Sequence, residues 1–357
     1  MRKYCVAVCG AFNVYSYGDS LFPIALANEM KKRNINIEMT LFAPQKRGLL
    51  YYDDREVYSY DDLEIQNSLH KFDLVLIGGG ELLHFHKILF TDQSGNEMYY
   101  QEAEIWKTPI EFARQNNIKC IINAVGAPDD FSSEQIEILK QYFNYVSYIA
   151  VRDKYSYKRL KQAGINSFLV PDSLWNIDDY FHGSEFKKKE YIVVQYGTQH
   201  QKDQLLTTLQ DSFAIKGLKI IFISINYCHE GSYVLRNMEN GFACENIEII
   251  RDRLSVMEIY KLISEGSLFI GTSLHGAITA TASGVPSIII DMYPEIVGKM
   301  DGLVEWFDNS LKIISDVRNL KYVNPEICVK SLQHVRKCVD MHFDKIAECL
   351  IGENANE

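Results

Sequence analysis

Short runs of β-branched and apolar residues alternate with amphipathic stretches along the chain, the pattern of an α/β protein. In the first half, residues 4–8, 36–42, 73–77, 119–124, 148–151 and 168–171 read as strands. Residues 20–33, 102–116, 132–143 and 154–163 read as the helices between them. The helix ends carry their own signals. Asp19 is the expected N-cap of the first, with Pro23 near its first turn. Ser132 or Ser133, followed by Glu134 and Gln135, opens the third, and Gly164 stops the fourth. Pro109 predicts a kink or break in the second.

A polar stretch over 177–190, containing His182-Gly183-Ser184 and Lys187-Lys188-Lys189, marks a domain boundary. A second α/β set follows. Residues 191–195, 219–225, 247–250, 268–271 and 286–291 read as strands. Residues 203–213, 256–263 (capped by Ser255) and 275–283 read as helices. In the tail, Val329, Leu332, Val335, Cys338, Val339, Phe343 and Ile346 fall on one helical stripe over 325–350. The expected fold is therefore α/β, with two Rossmann-like domains in a GT-B-like arrangement. Their expected bounds are 1–178 and 190–320, with a C-terminal helix over 325–350 that could return to the first domain. A length of 357 residues agrees with about two domains.

The composition, 47% hydrophobic and 24% charged, is that of a globular chain. A net charge of -10 argues against nonspecific nucleic-acid binding, which rests on Lys and Arg neutralising phosphates. It leaves room for a small anionic substrate held by a few cations or a helix N-terminus. The eight cysteines form no CxxC pair, so zinc and thioredoxin chemistry are not expected and a reducing compartment is. The apolar run after Met1-Arg2-Lys3 is short and passes into Asn13, Ser16, Gly18 and Asp19, which reads as strand then loop rather than a leader. No segment has the ~20 apolar residues needed to span a bilayer. The expected location is the cytoplasm, at the inner membrane face where a partner or a lipid-linked substrate draws the protein there.

In a parallel α/β domain, ligands gather at the C-terminal ends of strands. Gly78-Gly79-Gly80 closes a strand, where it forms either a tight turn or a backbone cradle for an anion. It lacks the spacing of a dinucleotide fingerprint and the lysine of a P-loop. Gly18-Asp19-Ser20 either offers helix N–H groups to an anion or simply caps a helix. Arg152-Asp153 follows another strand; Arg152 would clamp a carboxylate or phosphate, or the Arg-Asp pair would cap the next helix. Arg251 and Arg253 flank Asp252 ahead of a helix, facing a cleft or solvent. Glu81, His84 and His86 do not make a convincing metal set, and no metal or cofactor is expected. Tyr196 and His200 follow a strand and are candidates for stacking on or hydrogen bonding to a sugar.

The strongest local signal is Gly271-Thr272-Ser273-Leu274-His275-Gly276-Ala277, running on to Gly284-Val285-Pro286. A strand ends, polar residues follow, and a histidine opens a helix of small residues. A neutral histidine there can take a proton from a hydroxyl and return it. A capped helix with a structural histidine explains the segment on physics alone at least as well.

Taken in order, these segments resemble the polysaccharide pyruvyl transferase family. The resemblance covers Gly18-Asp19, Asp73 through Gly80, Ala124-Val125-Gly126-Ala127, and Val151-Arg152-Asp153 with Leu160 and Gly164-Ile165. It continues through Val170-Pro171-Asp172 to Ser273-Leu274-His275 and Gly284-Val285-Pro286. It implies a GT-B-like protein with its active site in the interdomain cleft, moving pyruvate from phosphoenolpyruvate to two hydroxyls of one sugar as a cyclic ketal. The acceptor would be a cell-surface polysaccharide or its lipid-linked precursor. His275 matches the family histidine and is the expected acid/base or phosphate contact. Gly18, Gly78, Gly79, Gly80, Arg152, Arg251 and Ser273 are the expected donor or anion contacts, and Asp19, Glu81, Tyr196 and His200 the acceptor contacts. One departure matters: many members carry arginine two residues before the histidine, where this chain has Ser273. Another cation would then serve, or the donor would differ. Two rivals remain: a GT-B glycosyltransferase whose nucleotide pocket would lie near Glu258, and a non-catalytic glycan-binding protein of polysaccharide assembly.

Overall fold

The apolar runs become the strands of two mainly parallel sheets in a computed structural model describing residues 2–45, 47–181, 187–197, 201–213, 217–228, 246–292, 299–307 and 311–352. The chain divides into two units, Met1–Ser173 with Arg336–Glu357, and Leu174–Val335.

The first unit opens with β1 (Lys3–Cys9), α1 (Tyr17–Lys32), β2 (Asn36–Ala43), β3 (Gly48–Leu49) and β4 (Glu56–Ser59). It continues with α2 (Leu63–His70), β5 (Leu74–Gly78) and a hairpin of β6 (Ile88–Thr91) and β7 (Glu97–Tyr100). Then come α3 (Glu104–Gln115), β8 (Lys119–Val125), α4 (Ser133–Phe143), β9 (Val146–Val151), α5 (Lys154–Gln162) and β10 (Phe168–Leu169). The sheet order is β10-β9-β8-β5-β1-β2-β4-β3, parallel except for the β3–β4 edge. All five residues of β5 are buried, as a strand covered on both faces requires. The chain winds one way from β1 through β2 and the other way from β5 through β8. The order therefore reverses between β1 and β5, which are direct neighbours.

Pro109 does not divide α3, which runs from Glu104 to Gln115. Proline removes the N–H that would reach the carbonyl four residues back. Here that carbonyl, of Ile105, accepts the Tyr60 hydroxyl at 2.9 Å in the core. An external donor thus replaces the missing helical bond.

The second unit begins with the short α6 (Ile177–Phe181) and β11 (Tyr191–Gln195), then α7 (Lys202–Ser212), β12 (Lys219–Ile223) and β13 (Ile247–Ile249). It continues with α8 (Val256–Glu265), β14 (Leu268–Gly271), α9 (Leu274–Ala282), β15 (Ser287–Ile290), α10 (Lys299–Glu305) and β16 (Lys312–Ile314). Its order is β13-β12-β11-β14-β15-β16, all parallel, and it reverses between β11 and β14.

The last helix, α11 (Val329–Ile351), starts four residues after the expected position 325. Val329 is 61% exposed and lies off the stripe, whereas Phe343 and Ile346 are fully buried. From Arg336 onward α11 belongs to the first unit. There the Arg33 guanidinium bonds Asp344 at 2.8 Å, and Lys119 donates to the Cys349 carbonyl at 3.0 Å. Among the described residues no helix is long and apolar enough to cross a membrane.

Candidate active site

Each sheet has one crevice where the strand order reverses, and side chains at such points meet ligands in open α/β sheets. In the first unit the crevice lies past the ends of β1 and β5. A methyl group on Gly10 would stand 2.8 Å from the Gly78 carbonyl oxygen, so the two strand ends touch. The turn after β5 folds back on α1 through Gly79 and Gly80, with φ of +95° and +74°. A methyl on Gly79 would lie 2.2 Å from the Phe22 ring, and one on Gly80 3.2 Å from Asp19 Oδ1. A methyl on Gly78 would meet the Asn123 amide nitrogen at 2.9 Å. Close packing explains Gly78 and Gly79, and the positive φ explains Gly80. A carboxylate beside Gly80 works against an anion there.

Asp19 is not the N-cap of α1. That position is Ser16, in extended conformation, which puts Gly18 and Asp19 inside the first turn. Gly18 is buried and Asp19 is partly exposed beside the glycine turn.

Arg152 follows β9 but is not an open clamp. It is 5% exposed, and its NH1 group bonds Asp172 at 3.1 Å, with Glu81 at 3.9 Å from NH2. Burial works against its charge, and Asp172, Glu81 and Asp153 outweigh that and hold it above the ordinary arginine value. Gly126 makes room for this group: a methyl there would be 3.0 Å from Glu81 and 3.4 Å from the guanidinium. Asp153 caps α5 instead, accepting from the Ser156 amide and hydroxyl at 2.7 Å each. The result is a region rich in carboxylates around one neutralised cation. Such a region accepts hydrogen bonds from hydroxyls better than it holds phosphate.

His84 and His86 lie just beyond. His84 donates from Nδ1 to the His86 carbonyl at 3.0 Å, and Trp106 donates to the His84 carbonyl at 3.1 Å. Burial, then the neighbouring His86, pushes His84 down to about 4, so it is neutral at pH 7. Among the described residues no group of three or more His, Cys, Asp or Glu is placed to hold a metal ion.

In the second unit the crevice lies past β11 and β14. The Gln195 side-chain oxygen accepts from the Thr272 amide at 3.1 Å, and the Gly197 amide donates to the Thr272 hydroxyl at 3.3 Å. These bonds tie the two strand ends together. Ser273 is the N-cap of α9, its hydroxyl oxygen accepting from the Gly276 amide at 3.2 Å. That bond does not use the hydroxyl hydrogen, which can still be donated to an anion. His275 is the second residue of the helix and half-buried. Gly276 lets the helix settle on Phe269, whose ring a methyl would strike at 2.4 Å.

Other candidates fall elsewhere. Tyr196 is 2% exposed, sits in the core of the second unit and points its hydroxyl at the Met292 sulfur, so the ring packs rather than faces a sugar. Arg251 follows β13, which β12 separates from β11, so it stands off the crevice. His200 lies outside the described residues. Glu258 Oε2 accepts from the Ser255 amide and hydroxyl at 2.7 Å each, closing a capping box at the start of α8. Gln195, Asn123 and Asp172 carry much of this geometry and were given no role from sequence. A lone polar residue inside or ending an apolar strand, as in Ile121-Ile122-Asn123, was the available signal.

Solved structures with a similar fold include the UDP-GlcNAc 2-epimerase of Methanocaldococcus jannaschii, at 12% identity and TM-score 0.55 over 98% of this chain and 99% of that one. The UDP-N-acetylglucosamine 2-epimerase of Rickettsia bellii gives 13% and 0.56 over 98% and 96%. MurG of Acinetobacter baumannii gives 13% and 0.50 over 98% and 100%. At such identities the likeness concerns the fold, which is α/β, built of two Rossmann-like units and GT-B-like. No curated protein matches by sequence. Residues 17–292 match the family model described as Polysaccharide pyruvyl transferase, and the chain belongs to that family.

Proposed function

We propose that the protein moves pyruvate from phosphoenolpyruvate to two hydroxyls of one sugar, forming a cyclic ketal on a cell-surface polysaccharide or its precursor. The family match over residues 17–292 carries the reading. In this reading the second unit holds the donor. The N-terminus of α9 and the Ser273 hydroxyl face its anionic groups, and His275 moves the proton. The first unit holds the acceptor, with Asp19 and Glu81 receiving hydrogen bonds from its hydroxyls. A proton adds to the methylene carbon of the donor, which becomes the methyl group. Each sugar oxygen then bonds the former enol carbon and loses its proton. Phosphate leaves with the carbon–oxygen bond electrons, so one hydroxyl proton ends on the methyl group and the other on phosphate. The acceptor is free or lipid-linked, and the setting is the cytoplasm or the inner membrane face.

Binding is tested by thermal shift with phosphoenolpyruvate and a panel of nucleotide sugars. Phosphoenolpyruvate is expected to raise Tm saturably. His275→Ala is expected to slow phosphate release by about 100-fold or more. Stabilisation by a nucleotide sugar alone would overturn the reading.

A further inference from the structure

The C-terminal helix reaches the glycine turn through a buried polar chain. On α11, His342 is 2% exposed; on β8, Asn123 is 1% exposed. His342 Nε2 lies 2.6 Å from Asn123 Oδ1, and His342 Nδ1 lies 2.9 Å from the Tyr148 hydroxyl. With the amide oxygen accepting, Nε2 carries the hydrogen, so Nδ1 accepts from Tyr148. The three side chains thus form one satisfied line in a setting where an orphaned group would be costly.

Asn123 also lies in the second of two irregularities in the pairing of β8 with β9, the first falling between Cys120 and Ile121. There the register shifts between Ile122 and Val125, and Ala124 takes a φ of +49°. A non-glycine residue in that region is strained and persists only when its surroundings impose it. Bulges of this kind re-aim a strand near a site. Past the bulge, the Gly126 amide donates to the Gly80 carbonyl at 2.9 Å, and the Leu83 amide to the Gly126 carbonyl at 3.1 Å. Asn123 pairs with Gly78 in register and lies against it. Each link from His342 to the turn bearing Glu81 is thus a direct contact.

We propose that the end of the C-terminal helix is a positioning element for the acceptor: His342 fixes Asn123, and through it the bulge and the Gly78–Gly79–Gly80–Glu81 turn that presents Glu81. The part concerning the acceptor rests on the function proposed above. His342 touches no substrate and acts through Asn123.

The test is hydrogen exchange on the full chain, with His342→Leu, Tyr148→Phe and His342→Gln. Glutamine can donate to Asn123 and accept from Tyr148, so it is the conservative rescue. In His342→Leu, exchange is expected to speed by about tenfold or more at residues 78–83 and 123–127, with β1 and β11 unchanged. Tyr148→Phe, which keeps the ring, is expected to move the same segments less, and it decides the matter if the leucine variant does not fold. Glutamine is expected to restore protection. Kinetics with phosphoenolpyruvate and cell-surface polysaccharide stripped of ketals by mild acid should show the acceptor KM raised about tenfold and the donor KM little changed. Unchanged exchange in these segments, or uniform loosening of the first unit, would overturn the proposal. So would altered exchange with an unaltered acceptor KM. If the wild type transfers no pyruvate, the proposed function fails, and exchange alone still decides whether His342 sets the turn.

Discussion

Phe22 lies so close to Gly79 that a single methyl group would meet its ring at 2.2 Å. The backbone there also has φ of +95°. Left-handed backbone costs an L-residue about 1–2 kcal/mol, and overpacking adds about 1–3 kcal/mol. Gly79→Ala should therefore lower the unfolding free energy by about 2–5 kcal/mol in a urea titration. Gly284 separates the two causes. Its φ is +71° with nothing within 4 Å of an added methyl, so Gly284→Ala should cost only about 1 kcal/mol. Equal losses would show that the ring does not constrain Gly79. At the same scale, Ser273 caps α9, and such a cap contributes about 1 kcal/mol of stability.

Among the elements, α11 does more than cover apolar surface. Burial, then the charge of Arg33, pushes His342 down to about 3 from the usual 6.5. Burial, then His86, takes His84 to about 4. Below pH 6.5 the unfolded chain takes up protons that these folded histidines refuse. Stability is therefore whole above about pH 6.5 and is lost as pH falls toward 4 and then 3, by up to about 1.4 kcal/mol per pH unit for each group. Urea midpoints measured from pH 7.5 down to 4.5 should fall less steeply in His342→Gln than in the wild type. Equal slopes would mean that His342 is not the neutral link described here.

The long elements were readable because their signals are local. Ser132 or Ser133 and Ser255 were legible as helix starts, and in the structure Ser132 with Gln135 and Ser255 with Glu258 form capping boxes. The Val335, Val339, Phe343 and Ile346 stripe is buried. Short elements whose stability comes from neighbours gave no such signal: β4, the β6–β7 hairpin and β16 have three or four residues each. The hairpin is anchored by Tyr100 donating to Asn13 across 87 positions of sequence, which no local pattern contains. The site divides the same way. The His275 segment announces itself, whereas the neutralisation of Arg152 by Asp172 depends on two strand ends meeting.

At the scale of the whole molecule, each sheet contributes one crevice, and the two differ in chemistry. The first sets Glu81, Asp153 and Asp172 around the buried Arg152, with Asp19 beside Gly80. The second offers a hydroxyl and a histidine at the start of α9. Under the function proposed above, that contrast favours an anionic donor at the second unit and a hydroxyl-bearing acceptor at the first. The most direct test of this account uses phosphoenolpyruvate labelled with carbon-13 at its enol carbon, incubated with the protein and deketalised cell-surface polysaccharide, and followed by carbon NMR and phosphate assay. The account requires the label to appear as a quaternary carbon bonded to two oxygens of one sugar, with one phosphate released per ketal. Label that stays in phosphoenolpyruvate or emerges as free pyruvate would contradict it.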